Sequence, residues 1–159
     1  MKKLLLIRHA KAVHDLNYDD FERPLKLSGI KDAELMAVRL KANQLIPQQL
    51  VASPALRTRS TADIFAAFLS LPGPLLDTRI YEAGPITLLE VINEFNNQYD
   101  FIALVGHNPT MEQIVSYLCN VRVEFPTCAI ALLEFELDDW AEISAQTGNL
   151  SWFSEPKED

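Results

Sequence analysis

The chain has 159 residues, the length of one ordinary domain, and its 48% hydrophobic and 23% charged residues are typical of a globular protein. The formal net charge of −8 disfavours general binding to nucleic acid, because an acidic surface repels a phosphate backbone. The longest apolar stretches, such as IFAAFL, are too short to cross a bilayer. We therefore expect one domain over residues 1–159 that binds neither nucleic acid nor membrane, and we expect a monomer.

The chain has two cysteines, Cys119 and Cys128. Both lie in apolar stretches of sequence, which favours buried free thiols over a disulfide, although a disulfide between them stays open. Free thiols indicate a reducing compartment, and we expect a cytoplasmic location.

Strands are predicted to alternate with helices along the first 120 residues. The apolar run Lys3–Ile7 predicts a strand, and residues 10–24 lack any period, which predicts a long loop. Further strands are predicted at residues 49–53, 75–78 and 101–106. Helices are predicted from Ser28, as an N-cap, to Asn43, from Pro54 to Leu69, from Pro85 to Asn96 and from Asn108-Pro109 to Leu118.

The C-terminal part has a different pattern. The stretches AIALLEFEL and NLSWFSE predict a β-hairpin whose strands are joined by DDWAEISAQTG. Together with the alternating elements before it, this predicts an α/β fold, specifically a three-layer α/β/α sandwich. Its mixed sheet should be mostly parallel, with an antiparallel edge supplied by the C-terminal hairpin.

Polar side chains follow four of the predicted strands at the point where each strand ends. Arg8 and His9 end the first strand, Arg57 lies shortly after the second, Glu82 follows the third, and His107 ends the fourth. Ligands of open α/β sheets bind outside the carboxyl ends of the strands, so we expect these side chains to converge there. Each of them alone is more often a surface or structural residue.

The residue types indicate a phosphate site. An arginine carries a permanent charge and a planar fork that matches phosphate oxygens, and two of them beside a helix N-terminus would hold a dianion. A neutral imidazole can attack phosphorus, a second and protonated one can donate to the phosphate oxygens, and a carboxylic acid can protonate the leaving atom. Ser53 either adds a hydroxyl to this pocket or is an ordinary helix-entry residue.

The motifs LLIRHAKA, SPALRTRST and VGHNPTME, in this order and spacing, resemble the histidine phosphatase superfamily, and ERPLKLSG with VGHNP resembles its SixA-type phosphohistidine phosphatases. The resemblance covers about Lys3 to Leu133. It implies a phosphoglycerate mutase-like fold that needs no metal and no cofactor. It also implies that His9 is the nucleophile, that Arg8, Arg57 and His107 bind phosphate, and that Glu82 stands where larger relatives keep a proton donor.

Two residues depart from the family pattern. The usual Arg-His-Gly is Arg-His-Ala here, and Ala10 restricts the backbone to negative φ without predicting a loss of activity. Lys11 stands where the mutase branch has a glutamate, which disfavours a mutase.

The substrate that this resemblance implies is phosphohistidine on a protein, such as a phosphotransfer domain. Only 24 residues separate Arg57 from Glu82, too few for a helical lid, so the groove should admit a side chain of another protein. A small phosphate ester is the alternative substrate. The acidic stretch DLNYDDFE near the site is interpreted as a solvated loop rather than a surface that selects a basic partner.

Two other functions remain open. The chain could be a phosphate- or phosphopeptide-binding module without turnover. Alternatively, it could bind a metal through His9, His14 and His107. The spacing of His9 and His14, however, suits neither a pair of ligands on a helix nor a pair on a strand. For the phosphatase, an ordinary histidine pKa of about 6.5 predicts that activity falls below about pH 6 as His9 is protonated.

Overall fold

The computed structural model describes residues 1–157, in which six strands form one mixed sheet. The strands are β1 (Lys2–Arg8), β2 (Gln49–Ala52), β3 (Leu75–Leu76), β4 (Phe101–Gly106), β5 (Ile130–Phe135) and β6 (Gly148–Ser154). Their order across the sheet is β3-β2-β4-β1-β5-β6. The first four are parallel to one another, whereas β5 runs antiparallel to both β1 and β6. The predicted parallel sheet with a C-terminal antiparallel edge is confirmed.

Helices cover both faces of this sheet. They are α1 (Leu27–Ala42), α2 (Leu56–Leu69), α3 (Pro85–Asn93) and α4 (Thr110–Cys119). Successive side chains of a strand point to opposite faces, so Leu5 and Ile7 of β1 pack in a core with α1 and α2, and Leu4 and Leu6 pack with α3 and α4. Because β1 is buried on both faces, it reads as a continuous apolar run. The predicted three-layer sandwich is confirmed.

Several element boundaries differ from the prediction by one to three residues. The segment before α1 is extended, and the N–H of Lys26 donates to the Lys11 carbonyl, so α1 begins at Leu27 and Ser28 does not cap it. Helix α2 begins at Leu56 and not at the predicted Pro54. Ala55 occupies the N-cap position, and its N–H donates to the Ser53 hydroxyl.

The remaining differences have similar local causes. Helix α4 begins one residue after Pro109, which occupies the N-cap position. Helix α3 ends at Asn93 because the next N–H groups, from Glu94 and Phe95, turn back to carbonyls three residues or fewer away. Strand β3 stops at Leu76 because Asp77 caps a short 3₁₀ turn by accepting the N–H of Arg79.

The parallel strands end level with one another. In the register of the sheet, Arg8 of β1 lies opposite Gly106 of β4, and Ala52 of β2 lies opposite Val105. The residues that follow these three strands therefore emerge at the same edge. This edge is where the sequence places its phosphate-binding residues.

The cysteines are free thiols, as predicted: Cys128 is buried and Cys119 is half-buried. Burial raises the pKa of both, that of Cys119 to about 11. Within residues 1–157, no helix is both long enough and apolar enough to cross a membrane.

Gly29 provides a test of how α1 packs against the loop that follows β1. A methyl group added at residue 29 would overlap the backbone carbonyl of Lys11, whereas one added at Gly73 would meet no atom within 4 Å. We expect Gly29→Ala to lower the free energy of unfolding by about 1–3 kcal/mol in urea denaturation, because overpacking forces the backbone to move. Gly73→Ala is the control and should not destabilise the protein. A stabilised Gly29→Ala variant would show that helix propensity outweighs this contact.

Candidate active site

The carboxyl edge of the sheet opens into a cavity of about 520 Å³, which we call the active-site cleft. All five residues singled out from the sequence line it: Arg8, His9, Arg57, Glu82 and His107. A larger cavity of about 980 Å³ lies between α3 and α4 and contains none of the five. We take the smaller cavity as the candidate site because the convergence expected from the topology occurs there.

His9 lies on the floor of the cleft, with 8% of its surface exposed. Its Nδ1 is 2.8 Å from the carbonyl oxygen of Ala10. A carbonyl can only accept, so Nδ1 carries the hydrogen and Nε2 keeps its lone pair. The backbone here is fixed by the N–H of Ala10, which donates to Thr61 Oγ1 at 3.0 Å, and by the N–H of Cys128, which donates to the carbonyls of both Arg8 and His9. Ala10 does not adopt positive φ, so alanine fits where the family has glycine.

Arg8 and Arg57 are held in the same way. Nη1 of Arg8 donates to the Phe125 carbonyl at 2.9 Å, and Nη1 of Arg57 donates to the Asp20 carbonyl at 2.7 Å. The Nε atoms of both arginines are buried, and neither has a hydrogen-bond partner among the described residues. A buried donor without a partner is costly and rare, which indicates that these guanidinium groups are arranged for an anionic ligand.

His107 is fixed between a hydroxyl and a guanidinium. Its Nδ1 is 3.4 Å from Arg57 Nη2, and its Nε2 is 2.9 Å from Ser53 Oγ. Since arginine can only donate, Nδ1 is the acceptor and the Nε2–H donates to Ser53. Ser53 is a helix-entry residue, since its hydroxyl accepts the N–H of Ala55 before α2. It is fully buried and does not line the cleft, so its hydroxyl contacts the site through His107 alone. The rings of His9 and His107 are 5.5 Å apart between centroids.

Burial keeps both histidines neutral. Together with the smaller effect of the Arg57 charge, it lowers the pKa of His9 to about 3 and that of His107 to about 4. The expectation that His9 is protonated below about pH 6 is therefore wrong for the ligand-free protein. The second histidine is also neutral in the absence of a ligand, and a bound phosphate dianion would favour its protonation.

Glu82 lies exposed at the rim of the cleft, between Tyr81 and the start of α3. Its backbone adopts a φ of 59°, in the left-handed region that non-glycine residues seldom occupy. This turn directs the chain from the short 3₁₀ helix Thr78–Ile80 into α3. The role of Glu82 as a proton donor stays a prediction.

Asp20, with its partners Tyr81 and Arg23, is among the residues that line the cleft and that the sequence analysis missed. Its carboxylate accepts from Tyr81 Oη at 2.7 Å, from Arg57 Nη2 at 3.1 Å and from Arg23 Nε at 3.1 Å. The Tyr81 hydrogen bond and the two arginines lower the pKa of Asp20 to about 2, so it is ionised. The stretch DLNYDDFE is exposed throughout, as expected of a solvated loop, but Asp20 within it also contacts Arg57 of the site. The sequence signal was an excess of carboxylates close to a predicted arginine cluster.

His14 does not join the other two histidines around a metal position. Its Nδ1 lies 3.2 Å from Arg23 Nη1. The described residues contain no cluster of three or more His, Cys, Asp or Glu side chains that could hold a metal ion.

The model of the histidine phosphatase superfamily (branch 1) matches residues 4–83, half of the chain, including Arg8, His9, Arg57 and Glu82. The chain belongs to the histidine phosphatase superfamily. Among curated proteins, an uncharacterized protein of Mycobacterium tuberculosis is 29% identical over 95% of this chain and all of its own length. The phosphohistidine phosphatase SixA of Escherichia coli K12 is 24% identical over 97% of this chain and 94% of its own.

The solved structure of the protein histidine phosphatase SixA complexed with tungstate has the same fold. It matches this chain with a TM-score of 0.77 and 24% identity, and the match covers 97% of each chain. The expected phosphoglycerate mutase-like fold and the SixA-type architecture are therefore confirmed. Membership of the superfamily, together with this likeness, supports a phosphatase.

The protonation of the two histidines can be tested directly. We expect the imidazole ¹⁵N signals of His9 and His107 in the ligand-free protein to remain those of neutral rings at pH 5, since burial lowers both pKa values well below the ordinary 6.5. A titration by NMR from pH 7 to pH 4 measures this. Protonation of His9 near pH 6.5 would contradict the buried, neutral nucleophile position.

The hydrogen bond between Ser53 and His107 can be tested by Ser53→Ala. This change leaves the Nε2–H of His107 without its acceptor, and we expect kcat/KM for an aryl phosphate to fall about tenfold, the typical effect of an unsatisfied buried donor. Ser28→Ala, at an exposed serine of α1, is the control. Equal activity of Ser53→Ala and wild type would show that Ser53 only starts α2.

Proposed function

We propose that this protein hydrolyses phosphohistidine on a partner protein through a phosphorylated His9. The observation that carries the proposal is the free Nε2 of a neutral, buried His9 beside two arginines whose Nε donors have no partner among the described residues. A lone pair directed into an anion-binding pocket is the arrangement that nucleophilic attack on phosphorus requires.

The reaction has two steps in this proposal. His9 Nε2 forms a bond to phosphorus as the bond to the leaving group breaks, while Arg8, Arg57 and His107 hold the phosphate oxygens. The leaving atom takes its electron pair, with a proton from Glu82 or from solvent where it needs one. Water then attacks phosphorus, and the electron pair of the P–N bond returns to His9.

The surroundings of the cleft support a protein substrate. Between Arg57 and Glu82 the chain contains only the rest of α2, the two-residue β3 and a 3₁₀ turn, with no helical lid over the site. Asp20 and Glu82 at the rim are exposed. A cleft without a lid excludes water poorly but admits a side chain that projects from another protein. The name of the Escherichia coli relative, a phosphohistidine phosphatase, supports the same substrate.

The proposed partner is a histidine phosphotransfer domain in the cytoplasm, so the reaction would serve signal transduction. The free thiols of Cys119 and Cys128 support a reducing compartment. The protein would act as a monomer without a cofactor. A small phosphate ester is the second candidate substrate, because the same pocket would hold any phosphate dianion.

The test is phosphate release from a phosphohistidine-bearing phosphotransfer protein and from 4-nitrophenyl phosphate. We expect wild type to prefer the protein substrate and His9→Ala to lose about a thousandfold or more on both substrates, as when a nucleophile is removed. His14→Ala is the matched control, because His14 lines the same cleft and its ring contacts Arg23. Wild type should also form a phosphoenzyme that is labile in acid and stable in base.

The outcomes separate the candidate functions. Turnover of the ester alone would keep the chemistry and overturn the protein substrate. Binding of phosphate without turnover of either substrate would make the protein a phosphate-binding module. Loss of activity in strong chelator, or in His14→Ala, would instead favour a metal-dependent mechanism.

A further inference from the structure

The cleft holds an ionised carboxylate beside a phosphate-binding pocket, which is an unusual neighbour for an anionic substrate. Asp20 belongs to the loop between β1 and α1, and its carboxylate contacts Arg57 Nη2, the same atom that lies 3.4 Å from His107. A carboxylate at this position repels a phosphate dianion, so its presence beside the pocket calls for another role.

Asp20 does not occupy the part of Arg57 that phosphate needs. The carbonyl and the carboxylate of Asp20 take Nη1 and Nη2, whereas Nε of Arg57 is buried without a partner among residues 1–157. Asp20 therefore holds the end of the guanidinium and leaves its side edge for the substrate. The two anions can bind the same arginine at once.

The carboxylate also retains capacity for one more donor. A carboxylate has about four acceptor positions, and three are taken: two on Oδ2, by Arg57 and Tyr81, and one on Oδ1, by Arg23. The side chain is 55% exposed, so its free position is open to the cleft. Three donors from three segments of the chain fix it in place.

In-line attack determines what meets this carboxylate. His9 lies on the buried floor, so the leaving group lies on the far side of phosphorus, toward the mouth of the cleft, where Asp20 stands. The leaving group of phosphohistidine is an imidazole whose distal nitrogen titrates near neutral pH, so a fraction of the substrate carries a proton there. Such a ring is a cation with one N–H to donate.

We propose that Asp20 is a specificity-determining residue that accepts this N–H and selects phosphoramidates with a cationic imidazole over phosphate esters. The inference rests on the proposed function and names the group that recognises its leaving side. As His9 Nε2 bonds to phosphorus, the electron pair of the breaking P–N bond stays on the substrate nitrogen. The proton on the distal nitrogen remains there, so neutral imidazole departs and no acid is consumed.

The same carboxylate disfavours ester substrates. An aryl phosphate develops negative charge on its leaving oxygen, and an ionised Asp20 at the mouth would repel it. The leaving groups of the two substrates carry charges of opposite sign, so a change of charge at residue 20 should alter kcat/KM for the two substrates in opposite directions.

The experiment compares N-phosphorylimidazole with 4-nitrophenyl phosphate in wild type, Asp20→Asn and Asp19→Asn. The amide keeps an oxygen for Arg57 and Tyr81 but removes the charge. We expect Asp20→Asn to lose about ten- to hundredfold in kcat/KM on N-phosphorylimidazole, the effect of one charge-assisted hydrogen bond, and to equal or exceed wild type on the ester. Asp19→Asn, an exposed neighbour in the same loop, controls for the loss of one negative charge and should match wild type on both substrates.

Other results overturn the proposal in distinguishable ways. Equal losses on both substrates would show that Asp20 only positions Arg57, and no change on either would show that it has no role. In both cases wild-type turnover of N-phosphorylimidazole would leave the proposed function standing. If wild type hydrolyses only the ester, the proposed function fails and the inference fails with it.

Discussion

The pairing of β1 with β4 is the constraint on which the site depends. The side chains of Leu4 to Ile7 are all fully buried, alternately in the two cores. A shift of the register by one residue would exchange every side chain between these cores, so the register is strongly specified. It places Arg8 opposite Gly106, and therefore His9 beside His107. The geometry of the candidate site thus follows from packing far from the cleft.

Charge in the cleft is partly compensated before any substrate arrives. The protein carries a net charge of −8, yet the half-buried Arg8 and the buried Arg57 line one pocket. Burial keeps the two histidines neutral, so they add no repulsion, and Asp20 offsets part of the arginine charge. What remains is an excess of positive charge with two unpartnered Nε donors among the described residues, which a phosphate dianion would satisfy. The cations can stay close together because one carboxylate lies between Arg57 and Arg23.

The sequence predicts those parts of the site that need only one strand end each. Arg8, His9 and His107 directly follow apolar runs, and parallel strands bring such ends together without further information. Asp20 could not be predicted in this way, because its loop has no period and its partner Arg57 is 37 residues away. Lys2 shows the same limit: in MKKLLLI it looks exposed, but it is 1% exposed and its ammonium meets Asp100 at 2.9 Å. Contacts between distant loops depend on side-chain reach, which local patterns do not encode.

The absence of a lid and the choice of leaving group are connected by the same chemistry. An ester needs a proton on its leaving oxygen, and an enzyme that supplies one benefits from a closed site that holds the acid and excludes water. A protonated phosphoramidate already carries the proton that its leaving group needs. Its hydrolysis therefore requires a carboxylate that binds the cation and does not require an acid that donates a proton. In the proposed reaction, an open rim with a fixed, ionised Asp20 would meet that need, and an exposed Glu82 would not have to be precisely placed. In the proposed reaction, the short connection from α2 to α3 and the carboxylate in the loop after β1 thus both suit a leaving group that carries its own proton.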